Sequence, residues 1–474
     1  MSTFSGLNTA YTALVAARQG LDVVGQNIAN ASTAGYTRQR VDTSAIGSVA
    51  QIGPLATRFS VGQGVSVDGI TRLGNSFLDA RARTATASSG YWDVRSSALA
   101  TLEGTLQEPG SNGISASLQK FWAAWSDMGN NAGKPAPAAV LIAQANALVA
   151  QVATGYQQVD AQWSSVRQET ATKVTALNDA GQQIADLNAR IRSTIASGAP
   201  ANEMIDQRNT LAATVARLAG GTVRESADGT AEVLIGGNAL VSGTIFNAVK
   251  LSGSYQMAGV TGSPVQLEWA NRPGSSVALD GGEIGGGLAV LAAANGSGTG
   301  GTLAEAAASY NTFATQLAGQ VNTVHSTGAI ADGTSGHNFF AIDGVLPAAL
   351  GLTIIPTDVT GLANGAVGAG GFDGSIAEKI SQLGSAPGSP DSLWSSMVSG
   401  IGAAAKSANQ QSAISDVTTT TAVRAQLSNS SVDLDEENMN MLTYQRAYQG
   451  AARVMTAVDE ILDTLINRTG LVGR

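Results

Sequence analysis

Cysteine is absent from all 474 residues, which removes disulfides, thiolate metal sites and thiol nucleophiles together. Histidine occurs only at 325 and 337, so most nucleophile–base pairs lack their base. Aromatics make up 5% of the chain and charged residues 13%, with Ala, Gly, Ser and Thr filling the difference. Such a composition suits long helices packed through small residues, together with Gly-rich β structure. The formal net charge is −9 and no basic stripe is present to neutralise phosphates, which argues against a nucleic-acid partner. A secretory leader pattern is missing as well: no basic residue comes before Arg18. Residues 284–304 are uncharged but too Gly-rich and too weakly apolar to span a bilayer, so no membrane partner is expected. None of the eleven prolines precedes Pro54 or follows Pro390, leaving both ends free to form uninterrupted helix.

At 43% hydrophobic the chain can bury real cores, and its length implies two to four domains. Its clearest pattern lies at the two ends. Leu7, Leu14, Leu21 and Ile28 recur every seven residues, with Ala10, Ala17, Val24 and Ala31 three positions behind each. Leu434, Met441, Tyr448, Met455 and Leu462 repeat the design at the C-terminus, with Tyr444, Ala451, Val458 and Leu465 in the second seam. Asp433 followed by Glu436 reads as a capping box, and the acids 435–437 suit a helix N-terminus. Only Arg18 and Asp22 are charged between residues 1 and 37, so the first helix can be covered on several sides without stranding an ion. Two readings are open. Both ends pair inside one globular core, or both stay mobile in the monomer and order on joining an assembly.

Between the ends, helical patterns are expected at 77–107, around Phe121–Trp125, at 136–196 with kinks at Gly155 and Gly181, at 202–219 and from about Leu303 to His325. β-rich runs begin at 220, with Asp228-Gly229 and Gly236-Gly237 as hairpin turns, and short strands are expected to about 287. The fold class is therefore mainly α with a β-rich insertion. The terminal helical domain comprises 1–45 with 430–474, the helical middle domain 46–220 with 300–429, and the β-rich domain 221–299.

Catalytic motifs fail on inspection. "GNNAGKP" (129–135) is one residue short of a phosphate-binding loop and places Pro135 where Ser or Thr should ligate magnesium. "GIGAAAK" (400–406) follows a helix-like segment rather than the strand a dinucleotide site needs. His325, Asp332 and His337 match no compact metal motif. No catalytic residue, metal ligand or cofactor site is assigned.

"NIANASTAGYTRQ" (27–39) resembles the Asn-Ile-x-Asn…Gly-Tyr-x-Arg signature near the N-terminus of bacterial flagellar axial proteins, and "VDLDEENMNMLTYQRAYQGAARVM" (432–455) is similar to their C-terminal helix. Residues 204–243 and 321–343 resemble the hook-associated members of that family, found at the hook–filament junction. The short β insertion and the "INRTGLVGR" end (466–474) depart from the usual pattern. The resemblance implies a non-enzymatic, extracellular protein, secreted by type III export and assembled as a ring on the distal hook. Implied partners are copies of itself, the hook protein, the second junction protein (hook-associated protein 3) and an export chaperone. The heptad residues would form the assembly interface. Asn27, Asn30, Gly35, Tyr36, Thr37 and Arg38 would turn the chain outward, with Gly35 at positive φ and Tyr36 as anchor. Other axial subunits (distal rod, hook or flagellin-like) are the nearer alternative and a flagellum-associated cell-wall hydrolase the farther one.

Overall fold

The computed structural model describes residues 3–47, 62–464 and 466. Leu465 of the second seam and the end of the chain from 467 lie outside the described residues. Helix α1 (Thr3–Ala29) leads through a turn into the antiparallel hairpin β1 (Gln39–Ala45) and β2 (Val65–Arg72), paired from Gln39↔Arg72 with a bulge after Asp42. Asn75 then caps α2 (Ser76–Leu106), its side chain accepting from the Phe77 and Leu78 amides. Next come α3 (Ile114–Asn130), the 62-residue α4 (Pro135–Ala196) and α5 (Asn202–Ala219).

The β module is antiparallel throughout. Strands β3 (Thr222–Glu225), β4 (Ala231–Ile235), β5 (Asn238–Ser242) and β6 (Ile245–Phe246) form one sheet, and β7 (Val249–Ser252) pairs with β8 (Gln266–Trp269). Gly236 and Gly237, at φ +51° and +76°, make the two-residue β4–β5 turn that the sequence predicts. Asp228-Gly229 instead sits in a five-residue loop, where the Asp228 carboxylate accepts from the Thr230 amide at 3.1 Å.

Strands do not continue to 287. Residues 282–291 form helix α6 (Gly282–Leu291). Its glycines are contact points, because a Cβ on Gly286 would meet the Tyr91 carbonyl of α2 and one on Gly287 the Thr170 hydroxyl of α4. Helix α7 (Thr302–His325) follows, then a Gly-rich region holding β9 (Gly328–Ala329), β10 (Phe340–Ile342), α8 (Ala348–Gly351), β11 (Leu352–Ile354) and β12 (Gly365–Ala366). The chain closes with α9 (Ser375–Ser381), α10 (Pro390–Ser430) and α11 (Leu434–Asp463).

Two apolar cores share α4. In the first, Leu141, Leu148, Val152 and Trp163 of α4 meet Leu102, Phe121, Trp125, Phe313 and Trp394. In the second, Leu177 and Ile184 of α4 meet Val215 of α5 and Val233, Val241 and Leu267 of the β module. By length and composition α4 is apolar enough to cross a membrane, and the core residues named above are its covered positions. Helix α4 runs without interruption through Gly155 and Gly181, which leave room for the rings of Tyr310 and Phe246. Helices α2 and α10 lie side by side and antiparallel, linked by Ser88–Ser415 (3.2 Å) toward one end and by Trp394 Nε1 donating to Glu108 (2.9 Å) toward the other.

Candidate assembly interface

Helices α1 and α11 pack antiparallel: Gly6 lies beside Val458, Gly20 beneath the Tyr444 ring, and Asn27 against Glu437. The ends of the chain therefore pair within one molecule. The centre of the seam follows the second heptad row rather than the first. Ala10, Ala17, Gly20, Val23, Val24 and Asn27 are buried on α1, whereas Leu7, Leu14, Leu21 and Ile28 are only half-buried along its margins. On α11 only Glu437 and Ala451 are fully buried; Met441, Met455 and Leu462 are half-covered, and Leu434 and Tyr448 are exposed. Small residues win the centre because close approach lets Tyr444 lie over Gly20, and a larger residue there would hold the helices apart. The remaining apolar side chains face outward. Phe4 (68% exposed), Tyr11 and Val15 line the free side of α1; Met439 (70%), Leu442, Val454 and Ile461 line that of α11. These side chains are left uncovered by the rest of the chain.

A polar joint fixes this pair to the body. Asn27, 1% exposed, satisfies its whole side-chain amide. Its Oδ1 accepts from Tyr36 Oη (2.8 Å) and the Gln39 amide (3.0 Å), while its Nδ2 donates to the Gln39 carbonyl (2.9 Å) and Glu437 Oε2 (3.1 Å). Arg38 forks onto Glu436 at 2.7 and 2.9 Å and gives Nε to Glu437 Oε1 at 2.7 Å. The Thr37 amide donates to Asp206 Oδ2 at 3.0 Å, and Arg72 gives Nε to Asp206 Oδ1 at 2.9 Å and Nη2 to Thr37 Oγ1 at 2.9 Å. Gln39 bridges to Glu203 and Asn202 of α5. The Arg38 amide also donates to the Ser430 carbonyl at the end of α10. Five elements (α1, β2, α5, α10 and α11) are thus tied by one turn.

Gly35 has φ +80° as the turn requires, and a Cβ there would press on the Thr210 hydroxyl. Asn30 stays local, donating to the Gln26 carbonyl (3.0 Å) and accepting from Thr33 Oγ1 (3.2 Å). Burial first, then the carboxylates of Glu203, Asp206 and Glu437, push the Tyr36 phenol up to about 12, so it stays a neutral donor. The hydrogen bond from Arg38 holds the Glu436 carboxyl below its ordinary value, and the same bond raises the Arg38 guanidinium. Asp433 caps α11 through the Asp435 and Glu436 amides, but Glu436 does not reach back to complete a capping box; it is taken by Arg38. The sequence reading missed Arg72, Glu203, Asp206 and Glu437. The one available signal was an acidic surplus at 435–437, larger than a helix cap needs.

The dismissed motifs stay structural. His325 is buried and neutral, its Nδ1 bonded to the His337 carbonyl (2.7 Å) and its Nε2 accepting from the Ala363 amide (3.0 Å), with burial lowering its pKa. Asp332 closes a turn on Thr334. Residues 400–406 lie inside α10, and among the described residues no group of three His, Asp or Glu could hold a metal.

Comparison with known proteins agrees with this geometry. The family model "Flagellar hook-associated protein FlgK helical domain" matches residues 99–340. "Flagella basal body rod protein" matches 7–37, which is α1 and the turn, and "Flagellar basal body rod FlgEFG protein C-terminal" matches 424–468, which includes α11. Flagellar hook-associated protein 1 of Bacillus subtilis is 28% identical over the full length of both chains. Its namesake in Salmonella typhimurium is 29% identical over 71% of this chain, which spans 59% of that relative. The solved structure of the flagellar hook junction protein FlgK from Burkholderia pseudomallei shares the fold, with TM-score 0.63 over 75% of this chain and all of that one, at 16% identity. Because the helical-domain model alone takes in just over half of the 474 residues, the chain belongs to the FlgK family of flagellar hook-associated proteins.

Proposed function

We propose that this chain is a structural subunit of the bacterial flagellum that assembles as a ring on the distal end of the hook and carries the filament. One observation bears most of the weight: an apolar surface on the free sides of a terminal helix pair that is itself locked to the body through Asn27, Arg38 and Glu437. That surface packs against the same surface of neighbouring copies and against the hook protein below. The second junction protein, hook-associated protein 3, stacks above, and an export chaperone holds the chain before type III secretion. The heptad residues Leu7, Leu14, Leu21, Ile28, Leu434, Met441, Tyr448, Met455 and Leu462 serve as the margins of this interface. No catalytic role is proposed, and the named relatives are structural flagellar proteins.

Deletion of residues 1–31 tests the reading. The truncated chain should stay folded, because both apolar cores lie outside α1, and should fail to attach to hooks. Electron micrographs of the deletion strain should show hooks without filaments. Normal filaments on such hooks would refute the role, and long tubes formed by the purified full chain would favour a hook, rod or filament subunit instead.

A further inference from the structure

With no cysteine in the chain, its sulfur chemistry falls to methionine alone, and the eight methionines are unequally placed. Met1 lies outside the described residues. Met128 and Met257 are buried in the first core, and Met204, Met397, Met441 and Met455 are half-covered. Among the described methionines, Met439 is the exposed one, at 70%. It stands on the free side of α11 with Leu442 one turn on, in the apolar stripe that the chain leaves uncovered.

A thioether reacts with hydrogen peroxide through its own lone pair, so access to the sulfur sets the rate. The sulfur attacks one peroxide oxygen: an S–O bond forms, the O–O bond breaks, and sulfur loses two electrons. The departing hydroxide takes up the proton of the attacked oxygen and leaves as water. A dipolar sulfoxide acceptor then stands where an apolar side chain stood. The positions one turn away offer it no free donor. Behind it are the carboxylates of Asp435 and Glu436, the second already held by Arg38. Ahead are Leu442 and Thr443, and the Thr443 hydroxyl donates to the Met439 carbonyl at 2.9 Å. Water solvates the sulfoxide on a free chain. An apolar surface pressed over it strips that water away and returns nothing, which opposes docking.

We propose that Met439 is a peroxide-sensitive modification site that controls assembly: the thioether form docks and the sulfoxide form does not. This rests on the docking role given above to the free side of α11. The test exposes the purified full chain to graded doses of hydrogen peroxide and reads the mass gain of one oxygen at each methionine by peptide mass spectrometry. Met439 should react at least about tenfold faster than Met441 or Met455, the half-covered methionines of the same helix. Chain oxidised at Met439 should attach to hooks isolated from a strain lacking this protein at least about tenfold less than untreated chain does. Methionine sulfoxide reductases acting on both epimers should restore attachment. Met439→Leu, measured against its own untreated attachment, should lose nothing on the same treatment. Reaction at Met439 no faster than at Met441 overturns the proposal. So does undiminished attachment of the oxidised chain, or an equal peroxide loss in Met439→Leu. The docking role survives each of those results as long as untreated chain binds hooks. Untreated chain that binds no hooks overturns both.

Discussion

Replacing Asn27 probes the joint most directly. Asn27→Ala removes four hydrogen bonds at a side chain that is 1% exposed and leaves the Gln39 amide and carbonyl without their partner. Tyr36 is near enough to the surface to find water, and Arg38 stays on Glu437 Oε1, but Glu437 Oε2 is buried and loses its donor, so three groups carry the loss. At about 1–2 kcal/mol for each stranded group, local opening becomes easier by about 3–6 kcal/mol. That corresponds to roughly 100- to 10,000-fold faster amide exchange where opening limits exchange. Exchange read by mass spectrometry should show the change in residues 36–42 and 430–440 and little change in α3 or in α4 residues 141–166, which lie in the first core. Asn27→Asp is the sharper form. It replaces the donor 3.1 Å from Glu437 Oε2 with a second carboxylate, so it should open the joint further than alanine does. Adding Glu437→Gln should recover part of the loss by restoring a donor. A change below about threefold for Asn27→Ala, or an aspartate milder than alanine, would refute the view that this network holds the ends to the body.

Two further outcomes follow from the same interface. Gly20→Val should separate α1 from α11, since the new side chain overlaps the Tyr444 ring, and Tyr444→Ala in the same chain should restore both the pairing and attachment to hooks. Acid should loosen the joint: the Glu436 carboxyl lies below its ordinary value of 4.5, so its contribution is fully present above that value and is lost as pH falls through the lower folded one. Denaturant midpoints measured between about pH 6 and pH 3 should therefore fall less steeply for Glu436→Gln than for the parent chain.

Much of the helical frame is legible from periodicity alone. The patterns at 77–107, 136–196 and 202–219 lie within about a residue of α2, α4 and α5. Glycine plays a contact role that local pattern does not show. Gly155 and Gly181 of α4 face the rings of Tyr310 and Phe246, and the triple glycine at 285–287 sits within a helix rather than a strand, because in each case the missing Cβ makes space for a group from another element. Such contacts cannot be read from local pattern. The terminal pairing was visible in the heptads, but which of the two rows lies at the centre was not, since the burial of Gly20 depends on where Tyr444 falls across the seam. The joint was legible only on one side. Arg38 and Glu437 are 399 positions apart, and neither spacing nor propensity links them until the fold brings them within 2.7 Å.

Helix α4 has a mechanical meaning beyond its packing. Its 62 residues correspond to roughly 90 Å of unbroken rod, and both cores are built along it. A load applied through the β module reaches the first core along a single stiff member, with no intervening linker to absorb it. Under torque the molecule should turn as a beam does, sharing strain along its whole length instead of concentrating it between domains.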